Sequence, residues 1–192
     1  MTQVRAVRTR EALVLAAAAE VDQHGYTGAG LARITERAGA SMGALTFHFR
    51  SKAELARAVL DTGSDRARRL AAGLSGAPGP ALEVMGQLVR GLAELLEKDQ
   101  VVRAAARLAR ERPDSVGQWS SAWGPAVRTL LAQAAASGEL RPRVDPEGAA
   151  ALVEYLLAGV DAWPARAGGP EAGRRLDRVW PLVERGLLAD DR

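Results

Sequence analysis

Leu31-Ala-Arg-Ile-Thr-Glu-Arg-Ala-Gly-Ala-Ser-Met-Gly-Ala-Leu-Thr-Phe-His-Phe-Arg-Ser-Lys-Ala-Glu-Leu55 decides how the rest of this chain is read. Leu31, Ile34 and Ala38 fall at helical spacing, and Leu45 and Phe49 do so again after Gly39. Gly39 suits a helix C′ position, where positive φ costs a glycine nothing. Ser41 stands where an N-cap is needed, its hydroxyl able to accept a free amide of the next turn. Two short helices about a glycine turn are helix-turn-helix syntax. The outward face of the second helix carries Met42, Gly43, Ala44, Thr46, Phe47 and His48, the face that such a motif lays in a DNA major groove.

Working outward, Thr9 to His24 reads as a first helix with Leu13, Val14, Ala17, Ala18 and Val21 at helical spacing, closed by Gly25. Downstream, Ser51-Lys-Ala-Glu54 is a capping box, in which Ser51 caps the Glu54 amide and Glu54 reaches back to the Ser51 amide. The helix it opens runs to about Leu74, where Gly73-Leu-Ser-Gly-Ala-Pro-Gly-Pro80 ends it. Five more helices follow at about 80–98, 100–111, 115–136, 146–163 and 171–188. Asp145 is the N-cap and Pro146 the first residue of the eighth. Pro181 should kink or split the ninth. With no strand pattern, the expectation is an all-α chain of about nine helices, a helix-turn-helix head over 1–52 and a larger body over 53–192.

The net charge of +3 is concentrated in that head. Residues 1–52 carry seven basic and four acidic side chains, and the remainder is balanced, as phosphate binding would require. No cysteine is present, which removes disulfides and thiolate metal sites and fits a reducing compartment. No stretch resembles a signal peptide, and no apolar run approaches the ~18–20 residues that span a bilayer. A cytoplasmic protein without membrane attachment is expected. The only histidines, His24 and His48, both lie in the head. With no HExxH, nucleophile elbow or phosphate loop present, neither an enzyme nor a cofactor or metal is expected.

The run from Gly39 to Leu55 resembles the signature of TetR-family transcriptional regulators, a turn glycine followed by Gly-x-Leu-Tyr-x-His-Phe and then Ser-Lys-x-x-Leu. Its Gly-Ala-Leu-x-Phe-His-Phe wording is most similar to γ-butyrolactone-receptor-type members. The resemblance is strong over about residues 9–60 and implies a homodimer. Each protomer would carry a three-helix head that binds operator DNA and a helical body that binds a small-molecule effector and releases the DNA. By position, Met42, Gly43 and Ala44 would face base edges, and Thr46, His48 and Lys52 phosphates. An exposed Phe47 would reach thymine methyls or sugar, and Arg5, Arg8 and Arg10 would form an added arm. Thr46 replaces the usual tyrosine, Met42 a frequent lysine, and Gly30 a Ser/Thr cap. These departures leave open a rival reading, a small-molecule-sequestering or partner-binding helical protein whose head no longer reads DNA.

Trp119 and Trp123, one turn apart on the seventh helix, suit either core packing or a ligand cavity. Butyrolactone-type receptors have a pocket tryptophan near the start of this helix, and Trp123, followed by Val127, fits it better. Met85, Leu88 and Val89 would be walls of such a cavity or plain core. Leu152, Leu156, Val160 and Trp163 with Val179, Trp180 and Val183 could pack internally. In TetR-like proteins the last two helices instead form a two-fold interface.

Overall fold

The computed structural model describes residues 2–112, 119–162 and 171–189. Among these residues nine helices occur: α1 (Thr2–Gly28), α2 (Leu31–Ala38), α3 (Met42–His48), α4 (Lys52–Leu74), α5 (Ala81–Lys98), α6 (Gln100–Glu111), α7 (Gly124–Ser137), α8 (Pro146–Ala162) and α9 (Glu171–Leu187). None is long and apolar enough to cross a membrane. The chain divides into two compact units, Met1–Asp65 with Asp99–Trp119, and Arg66–Lys98 with Ser120–Arg192. Packing groups the first part of α4 and all of α6 with the head.

In the first unit α1 is the spine, with α2, α3 and α6 packed on it. Leu13, Val14, Val21, Ile34, Leu45 and Phe49 form one buried cluster with Leu55 and Val59 of α4 and Val101, Ala105 and Leu108 of α6. The close crossing of α4 and α6 depends on Gly63. A Cβ there would lie 2.4 Å from the Ala105 Cβ and 2.9 Å from the Val101 carbonyl oxygen. In an exposed helix Gly→Ala stabilises by about 1 kcal/mol. Here the sign reverses: Gly63→Ala is expected to destabilise by about 1–3 kcal/mol in urea denaturation, because backbone must move apart.

In the second unit α5 packs against α7, α8 and α9, burying Met85, Leu88, Val89, Leu92, Val127, Leu131, Val153, Leu157 and Trp180. Glu139 holds the ends together. Its carboxylate accepts the Ala81 and Leu82 amides at 3.1 and 3.0 Å, capping α5. The adjacent backbone meets the end of α9 through an antiparallel Leu140–Leu188 bridge. Burial raises the Glu139 pKa, but hydrogen bonds from the Leu82 amide, Ser137 hydroxyl and Ala81 amide outweigh it, leaving the carboxyl below its ordinary 4.5. The stabilisation is therefore present above pH 4.5 and lost as pH falls through the folded value. Glu139→Gln is expected to cost about 1–2 kcal/mol at pH 7. The gap from the unaltered protein should narrow in thermal unfolding as pH falls through that folded value.

Three elements differ from the sequence reading. α1 begins at Thr2 rather than Thr9. Its first turns have no buried face to give a periodic signal, and they extend a helix already anchored at Leu13, which needs no new nucleus. The seventh predicted helix is not continuous among the described residues. Trp119 and Ser120 are helical, residues 121–123 turn, and α7 starts afresh at Gly124, while 113–118 lie outside the described residues. Trp119 and Trp123 therefore do not share a helix face. Of the kink or split expected at Pro181, the split does not occur: α9 continues through it. Pro181 and Asp177, whose carbonyl loses its helical donor, are both exposed, so water can take that hydrogen bond.

Candidate nucleic-acid interface

Local sequence builds the turn between α2 and α3 as expected. Gly39 has φ 61° and ψ 33°, and the Gly39 and Ala40 amides donate to the Glu36 and Thr35 carbonyls. The Ser41 hydroxyl accepts the Ala44 amide at 3.1 Å. Gly30 stands at the N-cap of α2 without a side-chain bond. The capping box of α4 forms with one change: Ser51 accepts the Glu54 amide, but Glu54 accepts the Arg50 amide at 2.8 Å rather than that of Ser51.

Leu45 and Phe49 point inward and are buried, while Phe47 is 81% exposed. Met42, Gly43 and Thr46 are exposed beside it, and Ala44 and His48 are half-buried. The His48 ring meets the edge of Phe47 with centroids 5.1 Å apart. The Thr46 hydroxyl bonds back to the Met42 and Gly43 carbonyls. Arg5 and Arg8 are exposed on the first turns of α1, and the Arg10 guanidinium lies 5.1 Å over the Phe49 ring. Lys52 is tied inward, donating to the Thr27 carbonyl at 3.1 Å with its ammonium 5.0 Å from the Tyr26 ring centroid. An ammonium has three donors, so this bond leaves capacity for a phosphate.

A buried carboxylate pins α2 to α1. Glu20, only 2% exposed, receives Arg33 Nε at 2.7 Å and Arg37 at 3.5 Å. Burial pushes its pKa up, but the Arg33 hydrogen bond and the nearby positive charges outweigh this and hold it below the ordinary value.

In the second unit Trp123 is 3% exposed, and its indole Nε1 has no hydrogen-bond partner among the described residues. It stands at the N-cap of α7; Val127 one turn on and Met85, Leu88 and Val89 of α5 are each buried. Trp119 belongs to the other unit, where it packs half-buried against the core. Toward the chain end, Leu152 of α8 and Val179 of α9 are exposed, and Leu156, Val160 and Val183 are half-buried. Trp163 lies outside the described residues. Trp180 corrects the sequence reading: it is fully buried and its indole donates to Glu184, so it has no surface to offer a partner chain. Tyr155 and Leu182 were missed and are exposed. Each lies three residues from a predicted position, Leu152 or Val179, so helical spacing could have found both.

A model of bacterial regulatory proteins of the tetR family matches residues 13–59. The A-factor receptor protein of Streptomyces griseus is 32% identical over 160 residues, which are 82% of this chain and 55% of that protein, so the chain spans about half of that curated relative's length. The crystal structure of a gamma-butyrolactone receptor, an ArpA-like protein, shares 30% identity over 97% of this chain and 90% of its own, with TM-score 0.78. CprB from Streptomyces coelicolor, solved with its biological operator sequence, is 31% identical over 96% of this chain and 90% of its own, with TM-score 0.79.

Proposed function

Because the chain belongs to the TetR family of bacterial regulatory proteins, we propose that it is a dimeric, ligand-responsive DNA-binding transcriptional regulator, a repressor released from its operator by a small, largely apolar effector. The observation that carries this reading is the exposed face of α3: Met42, Gly43, Thr46 and Phe47 open to solvent on a helix capped by Ser41 and anchored by Leu45 and Phe49. CprB, whose structure includes an operator, supports it. Met42, Gly43, Ala44 and Phe47 take base edges in this reading. Thr46, His48 and Lys52 take phosphates, with Arg5 and Arg8 as an arm. In the cytoplasm such a protein meets its operator directly.

Two-fold pairing through the exposed apolar residues of α8 and α9, Leu152, Tyr155, Val179 and Leu182, sets two copies of α3 against successive major grooves, about 34–36 Å apart. For the effector, the supporting feature is Trp123. A buried indole N–H ordinarily finds an acceptor, and a ligand oxygen among Val127, Met85, Leu88 and Val89 would supply one. A γ-butyrolactone, the ligand class in the name of a relative, has such an oxygen on a small apolar frame. α4 runs unbroken through the point where the chain passes from one compact unit to the other, so a ligand that favours one arrangement of the body biases the head. It does so only by its difference in affinity for the two states.

Selection from random duplexes, followed by anisotropy titration against a scrambled control, tests this function. A selected sequence bound at least about a thousandfold more tightly than the control supports it. Equal affinity for both, or none at low salt, favours the sequestering or partner-binding rival. Quenching of tryptophan fluorescence by a γ-butyrolactone, lost in Trp123→Ala and kept in Trp119→Ala, tests the effector site.

A further inference from the structure

The regular spine of α1 breaks at Gly25, which has φ 70° and ψ 175°, and the chain then turns through Tyr26-Thr-Gly-Ala-Gly30 into α2. A hinge with three glycines in six residues is loose unless other groups hold it. Here side chains from three elements hold its backbone. Arg107 donates to the Asp22 carbonyl at 2.8 Å, Lys52 to the Thr27 carbonyl and Arg33 to the Gly28 carbonyl at 2.6 Å. The amide of Tyr26 donates to Glu111 at 2.6 Å, and the Glu111 carboxylate is itself oriented by Arg107 Nε at 2.7 Å. The fit is close: a Cβ on Gly25 would stand 2.6 Å from Glu111 Oε1. Two cations lie over the Tyr26 ring, Lys52 at 5.0 Å and Arg112 at 4.7 Å.

We propose that Glu111, the last residue of α6, is a positioning residue for DNA binding: by gripping the Tyr26 amide it fixes the hinge that sets the direction of α2 and α3 from α1. The inference rests on the DNA-binding reading above. Glu111 touches no DNA and acts through the hinge backbone. Of the four groups that hold the hinge, it alone takes a backbone amide, a role that no basic side chain can fill. Its Arg107 partner keeps the carboxylate charged and aimed, and burial, which raises its pKa, is outweighed by these hydrogen bonds.

The test compares the unaltered protein with Glu111→Ala and Glu111→Gln, by amide hydrogen exchange and by affinity for the duplex that the unaltered protein selects. Alanine should speed exchange at Tyr26 at least about tenfold, leave the Leu13–Ala19 amides protected, and weaken the duplex at least about tenfold. Glutamine keeps an acceptor oxygen for the amide and should bind within about threefold of the unaltered protein. A freed Tyr26 amide with unchanged affinity overturns the proposal, as does a glutamine variant as weak as alanine. If alanine fails to fold, the exchange and affinity of glutamine decide, and a slow amide with tenfold weaker binding overturns it. If the unaltered protein selects no duplex, the DNA-binding reading fails first, a result distinguishable because it does not depend on Glu111.

Discussion

Arg33→Met is expected to be among the most destabilising single changes in the head, costing about 3 kcal/mol, toward the lower end of the range for stripping one partner from a buried ion pair. The reason is an asymmetry of burial. Glu20 is 2% exposed and Arg33 52%, so removing the arginine leaves a buried carboxylate with the longer Arg37 contact at 3.5 Å and the charge of His24 nearby. The same change also removes the donor to the Gly28 carbonyl. Glu20→Gln instead leaves two half-exposed arginines that water can solvate, and should cost only about 1–2 kcal/mol. Urea denaturation at pH 7 separates the two variants, and equal costs would contradict this account. The pH dependence has a definite sign. The folded pKa of Glu20 lies below 4.5, so the pair stabilises above that value and loses its effect as pH falls through the folded pKa. The gap between Arg33→Met and the unaltered protein should therefore narrow in acid.

Gly43→Glu should weaken DNA binding at least about a hundredfold without loss of stability, since a like charge set against an anionic partner costs several kcal/mol. A Cβ at Gly43 meets only the Ser41 hydroxyl, at 3.8 Å, so the new side chain has room. The position is in the first turn of α3, where a carboxylate is favoured by the helix dipole. Replacing glycine with a better helix former adds to this. Opposite effects on folding and on DNA binding are a signature that general damage to the head cannot give. A variant as stable as the unaltered protein that still binds its selected duplex equally well would remove the α3 face from the interface.

The parts of this molecule that sequence made legible are those decided within a few residues. Gly39, Ser41 and the inward pair Leu45 and Phe49 could be read because each requirement is local: a positive φ, an N-cap, a spacing of four. Asp145 is another such case, its carboxylate accepting the Gly148 amide. What escaped depends on partners distant in sequence or on a choice between two faces. α9 has apolar residues on two sides. Leu176, Trp180 and Leu187 turn inward while Val179 and Leu182 face out, and periodicity alone does not say which stripe meets the core. Trp119 and Trp123 share a helical spacing that the turn at residues 121–123 annuls. The Tyr26–Glu111 bond joins residues 85 apart, and neither residue type advertises it.

The dimeric reading of α3 can be tested most directly by moving the half-sites of the selected duplex. Two copies of α3 related by a two-fold axis require a palindromic site whose halves are one helical turn, about 10–10.5 base pairs, or a multiple of it apart. Five base pairs inserted at the centre of that site rotate one half to the opposite side of the duplex. The account predicts that affinity then falls to the level of scrambled DNA. A selected site without two-fold symmetry, or one that is bound as tightly after the insertion, would contradict it.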